Sequence, residues 1–156
     1  MLFLCVDHGD ARIIQNSHEI SRSIKIIDLS QDFRLNPNAT HGGRSFVYGL
    51  PELNREEIKQ ANNIANPGCF ATCIQIGLLP LAAAGILNSE VHINATTGST
   101  GAGQSLSPTS HFSWRNNNLS VYKAFEHQHL NEIVQSLNQL QNNFDQAMNF
   151  IPQRGD

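Results

Sequence analysis

Cys69 lies in the run Asn66-Pro67-Gly68-Cys69-Phe70, where a Pro-Gly turn opens a long apolar stretch. A cysteine at the start of a helix faces free N–H groups and the positive end of the peptide dipoles. That setting favours a thiolate able to attack a carbonyl, and the same N–H groups can hold the oxyanion that forms. The position suits a small buried hydrophobe equally well. Cys73, four residues on, and Cys5, inside an apolar run, read as core residues. The 69/73 pair lacks the partners of a zinc site, so no metal centre is expected.

His127-Gln128-His129 is the only close pair among seven histidines. On a strand both rings share a face and can enter one cleft, where an imidazole serves as acid and base. A metal site and two solvated side chains are the competing readings. His8, His18, His41, His92 and His111 give no comparable signal. Gly98-Ser99-Thr100-Gly101-Ala102-Gly103 lets a ligand approach backbone closely. It is neither a P-loop nor a Gly-x-Gly-x-x-Gly fingerprint, and a plain turn fits it as well. Arg34 and Arg44 flank an irregular segment and are placed to meet carboxylate or phosphate, although solvation is the ordinary fate of such residues.

The elements that must hold these residues alternate between strand and helix. Leu2–Val6 and Ile24–Leu29 are short apolar runs that read as buried strands, with a helix between them over Ala11–Ser23. Strand, helix, strand predicts a parallel sheet covered by helices. Residues 34–54 are broken by Pro and Gly. A short helix is predicted over Leu53–Gln60 with Asn54 as its cap. Phe70–Gly85 is apolar nearly all round, which predicts a buried helix that Pro80 ends or kinks. Glu90–Thr97 alternates as a strand does, residues 104–118 are loop-like, and Val121–Phe125 reads as a further strand. Asn131–Leu140 is an amphipathic helix, and a last strand begins at Met148. The chain opens on a core-type strand and stops soon after that last strand begins, so it reads as an excised fragment.

Composition narrows the function classes. The 156 residues are 40% hydrophobic with a net charge of −3, enough for a real core and without the basic cluster that nucleic acid requires. No apolar run approaches the roughly 18 residues that span a bilayer, and the opening run is too short for a signal-peptide core. Three cysteines cannot form a closed disulfide set. A cytoplasmic protein acting on a small molecule, with no nucleic acid or membrane partner, is the expectation.

Five blocks in order then carry a resemblance: Ile27-Asp28-Leu29-Ser30-Gln31-Asp32-Phe33-Arg34-Leu35, Tyr48-Gly49-Leu50-Pro51-Glu52, Asn66-Pro67-Gly68-Cys69-Phe70-Ala71-Thr72, Thr97 through Gly103, and His127-Gln128-His129-Leu130-Asn131-Glu132-Ile133. Together they resemble the N-acetyl-gamma-glutamyl-phosphate reductases of arginine biosynthesis, relatives of aspartate-semialdehyde dehydrogenase. The resemblance implies an α/β chain: the later half of a Rossmann-type parallel sheet over residues 1–66, then the start of an α+β catalytic and dimerisation domain over 67–156. It implies NADPH-dependent reduction of an acyl phosphate to an aldehyde through a thioester on Cys69, with His129 as proton shuttle. Arg34, Tyr48, Glu52 and His127 would shape the substrate pocket, and Ser99, Thr100, Gly101 and Gly103 would lie against NADP. A homo-oligomer is implied for the full-length protein.

Three departures stand out. No Gly-rich dinucleotide fingerprint is present, Asp7 replaces a proline before His-Gly, and Asn131 replaces a proline after the histidine pair. The 156 residues alone are expected to bind NADP poorly and to turn over little. The alternatives are a reductase of another acyl phosphate, such as aspartyl phosphate, a cysteine hydrolase, or a non-catalytic module that keeps the fold.

Overall fold

The computed structural model describes residues 1–17, 20–103 and 106–156. Positions 18 and 19 of the expected first helix and 104 and 105 of the expected loop lie outside the described residues.

A four-stranded parallel sheet forms the first layer. Its strands are β1 (Leu2–Leu4), β2 (Ile26–Asp28), β5 (Val47–Tyr48) and β6 (Asn63–Ala65), in the order β1-β2-β6-β5. Helix α1 (Asp10–Ser17) links β1 toward β2, and α2 (Pro51–Gln60) links β5 to β6. Asp32 caps α1 from outside: its carboxylate accepts from the Gly9 N–H at 2.7 Å and the Arg12 N–H at 3.4 Å. Between β2 and β5 lies a small hairpin, β3 (Thr40–His41) and β4 (Arg44–Ser45). Gly42 and Gly43 turn it with φ of +55° and +73°, the positive pair that a two-residue hairpin needs.

The second layer is a three-stranded sheet of β7 (Val91–Thr97), β8 (Ser120–Val121) and β9 (Met148–Arg154), with β9 in the middle, parallel to β7 and antiparallel to β8. Helices α3 (Cys69–Ala83) and α5 (His129–Leu140) pack on each other, and short α4 (Phe112–Arg115) lies in the segment before β8. Phe70, Ile74, Leu79, Ile133, Leu137 and Phe150 form the larger core. Leu4, Ala11, Ile26, Phe33, Phe46 and Ala65 form the smaller one. Tyr48 and Leu50 belong to the larger core although they precede residue 66.

Several expectations change. The β1 run is not buried on both faces: Leu4 points inward, while Phe3 and Cys5, on the opposite face by alternation, are exposed. Helix α3 is not enclosed either, since Cys73, Ile76 and Leu81 are exposed. Pro80 does not end it. The carbonyl Pro80 leaves unbonded belongs to Ile76, itself exposed, so water can reach it.

Helix α2 starts at Pro51 instead of after an Asn54 cap. Asn54 sits inside it at a kink (φ −119°, ψ 32°), its side chain donating to the Tyr48 carbonyl at 3.0 Å. The strand expected over Val121–Phe125 stops at Val121, because Lys123 and Phe125 take positive φ values and turn the chain. The donors of Arg44 are taken up by the chain itself. Buried, it donates to the carbonyls of Ile20, Ser21 and Ile24 and to Asn63 Oδ1.

Candidate active site

A cleft of about 950 Å³ opens where the two layers meet. Cys69 lines it as the first residue of α3, exposed, with Gly68 as N-cap (φ −68°, ψ 153°). The N–H groups of Cys69 and Phe70 have no carbonyl one turn earlier in the helix, so this end retains donors for an anion. Behind it, the Gly68 carbonyl accepts from both the N–H and the hydroxyl of Thr72, at 2.8 and 2.9 Å.

His129 opens α5 and is buried. A Cβ placed on Gly68 would fall 2.2 Å from its Nε2, so the ring is pressed against the residue that precedes Cys69. The glycine is needed for this approach and not for its φ, which any residue adopts. His129 Nδ1 finds no hydrogen-bond partner among the described residues. Burial pulls its pKa down to about 4, helped by the charges of Arg34, His8 and Lys123. The imidazole is therefore neutral at neutral pH, the form that can accept a proton.

His127 is also in the cleft, though not by strand alternation. It sits in the loop before α5, its Nδ1 accepting the His129 N–H at 3.3 Å, with ring centroids 4.6 Å apart. Phe70, Tyr122 and Phe150 hold the His127 ring edge-on. Burial and then the neighbouring His129 lower its pKa to about 4 as well.

Arg34 is buried on the cleft wall. Its Nη1 pairs with Glu132 Oε1 at 3.1 Å and its Nη2 donates to the Leu29 carbonyl at 2.9 Å. Tyr48 lies behind the wall and not on it. Its hydroxyl donates to Glu132 Oε2 at 2.8 Å and accepts from Gln75 Nε2 at 2.8 Å, and burial followed by the Glu132 charge holds its phenol far above the usual range. Glu52 lies in the first turn of α2, exposed and away from the cleft. In the glycine loop, Ser99–Ala102 form one 3-10 turn, and Gly101 reaches the cleft edge with Thr97 and Ala102. Ser99, Thr100 and Gly103 stand back from it, with Gly103 at φ +76°.

Other cleft residues carried no local signal in the sequence. His8 comes from the β1–α1 turn, where its Nδ1 accepts the Gln31 N–H at 3.2 Å. Lys123 and Arg154 bring positive charge, and the Arg154 guanidinium lies 4.1 Å from the centroid of the Tyr122 ring. Arg154 reaches this place only because β9 pairs between β7 and β8. No isolated feature of Gln153-Arg154-Gly155 announces it.

Two family descriptions cover nearly the whole chain. The semialdehyde dehydrogenase NAD binding domain matches residues 1–61, and the semialdehyde dehydrogenase dimerisation domain matches residues 69–156. The chain belongs to the semialdehyde dehydrogenase family. Within that family it is similar to the N-acetyl-gamma-glutamyl-phosphate reductase of Flavobacterium johnsoniae, 63% identical over all 156 residues, which are 48% of that relative. The one from Bacteroides fragilis is 60% identical, again over the whole chain and 47% of the relative. The chain thus spans about half the length of the curated relatives it matches. Aspartate semialdehyde dehydrogenase II from Vibrio cholerae shares the fold, with a TM-score of 0.59 at 17% identity over 98% of this chain and 50% of the other. Semialdehyde dehydrogenase membership and the mixed α/β fold agree with the sequence-based expectation. No helix among the described residues is long and apolar enough to cross a membrane.

Proposed function

We propose that this chain supplies the acyl-transfer centre of an enzyme that reduces N-acetyl-gamma-glutamyl phosphate to N-acetylglutamate semialdehyde, a step of arginine biosynthesis. One observation carries the reading: Cys69 stands exposed at a helix start with a neutral imidazole, His129, packed against the glycine just before it. The names of relatives 56–63% identical over the whole chain support the substrate.

In this reading His129 takes the thiol proton of Cys69. The thiolate attacks the acyl carbon, the C–O bond to phosphate breaks, and phosphate leaves as the thioester forms. Lys123 and Arg154 give the cleft the positive charge that an acyl phosphate requires, while Arg34 on the wall is balanced by Glu132. N–H groups at the start of α3 face the carbonyl oxygen as it gains charge. A bound nicotinamide cofactor supplies the hydride that takes the thioester to the aldehyde level. When the carbon–sulfur bond then breaks, His129 handles the proton and Cys69 returns as thiolate.

The cleft edge fits the nicotinamide end of such a cofactor. Gly101 reaches that edge without a side chain, and it lies so close to Thr97 that a Cβ there would fall 2.7 Å from Thr97 Oγ1. The match to an NAD binding domain over residues 1–61 supports the same cofactor class, and NADP is the form proposed. We assign residues 1–66 to the nucleotide-binding domain and 67–156 to the catalytic and dimerisation domain. The dimerisation-domain match supports a homo-oligomer, and three free cysteines fit a cytoplasmic setting.

Acylation without any cofactor tests this directly. Incubation of the intact protein with N-acetyl-gamma-glutamyl phosphate should release one equivalent of phosphate. It should also leave an N-acetylglutamyl mass addition on Cys69 that hydroxylamine removes and Cys69→Ser abolishes. Phosphate release with no adduct, or an adduct on Cys5 or Cys73, would refute the assignment.

A further inference from the structure

Three elements converge on the carboxylate of Glu132, a buried residue one turn into α5. Oε2 accepts from the Gly68 N–H at 3.0 Å and from the Tyr48 hydroxyl at 2.8 Å, while Oε1 faces Arg34 Nη1 at 3.1 Å. The Tyr48 hydroxyl in turn accepts from Gln75, a residue of α3 whose amide also donates to the Ala71 carbonyl at 2.9 Å. Helix α3 is therefore held at its N-cap and again within its second turn, both times through Glu132.

We propose that Glu132 is a positioning residue: its carboxylate fixes the turn at Gly68, and with it the nucleophile Cys69, against the helix that carries His129. The inference rests on the reading that Cys69 and His129 do the chemistry. Gly68 joins the two. Its N–H is bonded to Glu132, its Cα carries the close approach of the His129 ring, and its neighbour is Cys69. A shift of that N–H bond therefore changes the spacing between sulfur and imidazole. Glu132 does not act by gripping the ring, since His129 Nε2 is 4.0 Å from Oε1, beyond a hydrogen bond. Burying a carboxylate here is costly unless its lone pairs are used, and Tyr48, Gly68 and Arg34 use them.

The test is Glu132→Gln in the intact protein, assayed with acyl phosphate and nicotinamide cofactor. The amide keeps one acceptor oxygen but turns an NH2 toward donors. Misplacement of a reacting group by about 1 Å costs on the order of 100-fold, so kcat should fall by that order per acylatable Cys69. KM for the acyl phosphate should stay near the wild-type value. Titrating acylatable Cys69 separates slower turnover from a smaller folded fraction. A raised KM with unchanged kcat, or wild-type turnover per titrated site, overturns the proposal. If Glu132→Gln does not fold, Tyr48→Phe removes the hydroxyl link and keeps the ring. Its kcat should then fall by about tenfold, and an unchanged kcat again overturns the proposal. Cys69→Ser assayed in parallel isolates the underlying reading, because turnover surviving there refutes the nucleophile and not the clamp.

Discussion

Gly68 matters more than its size indicates. It carries no side chain, yet it is the N-cap of α3, a donor to Glu132 and the surface on which His129 rests. Adding one methyl group places a carbon 2.2 Å from His129 Nε2, so either the ring or the turn must move. For Gly68→Ala we expect the acylation rate of Cys69 to fall by on the order of 100-fold. Folding stability should fall only by what local overpacking costs, about 1–3 kcal/mol. Stopped-flow phosphate release alongside calorimetry checks both, and a wild-type rate would show that the ring yields freely. His127 tells the same story from the other side, because its ring is held by three aromatic neighbours and by the N–H of His129 instead of by solvent.

At the scale of elements, α5 is the joint of the molecule. Its inner face enters the larger core through Ile133 and Leu137, while its polar residues reach the segment after β2. Gln135 accepts from the Asn36 N–H at 2.7 Å and donates to the Arg34 carbonyl at 3.1 Å, and Glu132 pairs with the Arg34 side chain. Arg34→Met should leave the buried Glu132 charge without its cation. Breaking a buried pair from one side costs about 3–5 kcal/mol, so the denaturation midpoint should fall accordingly at unchanged m-value. A loss below about 1 kcal/mol would mean that the pair behaves as a surface one.

For the whole molecule, the two cleft histidines set the acid limit. Both have pKa values near 4 when folded against an ordinary 6.5. The unfolded chain therefore binds more protons between those values, and stability is full above about pH 6.5. It is lost as pH falls toward 4, with a slope approaching about 1.4 kcal/mol per pH unit for each histidine. Urea midpoints measured from pH 7 to 4 should show this slope, and His127→Gln should reduce it to roughly half. A wild-type curve level across that window would contradict the buried neutral imidazoles.

Much of this was legible in order along the chain. The apolar runs at Leu2, Ile24, Val91 and Met148 are strands, Phe70 onward is a helix, and Pro67-Gly68-Cys69 marks its start, because short-range sterics and periodicity act within a few residues. That Cys69 and His129 line one cleft was expected only from a resemblance. Residue by residue, nothing local says that Tyr48 turns inward to Glu132, that Arg44 is consumed by carbonyls, or that Glu52 faces water. Those outcomes depend on which elements meet, and His127 shows why: strand alternation is one way to bring it beside His129, yet it reaches the cleft from a loop turned by positive φ at Lys123 and Phe125. Local chemistry settled which residues could react. Long-range packing, through the approach of α5 to α3 and of β9 to β7, decided which of them stand together, since contacts between residues so far apart in sequence, 64 for Gly68 to Glu132, leave no periodic trace in the chain.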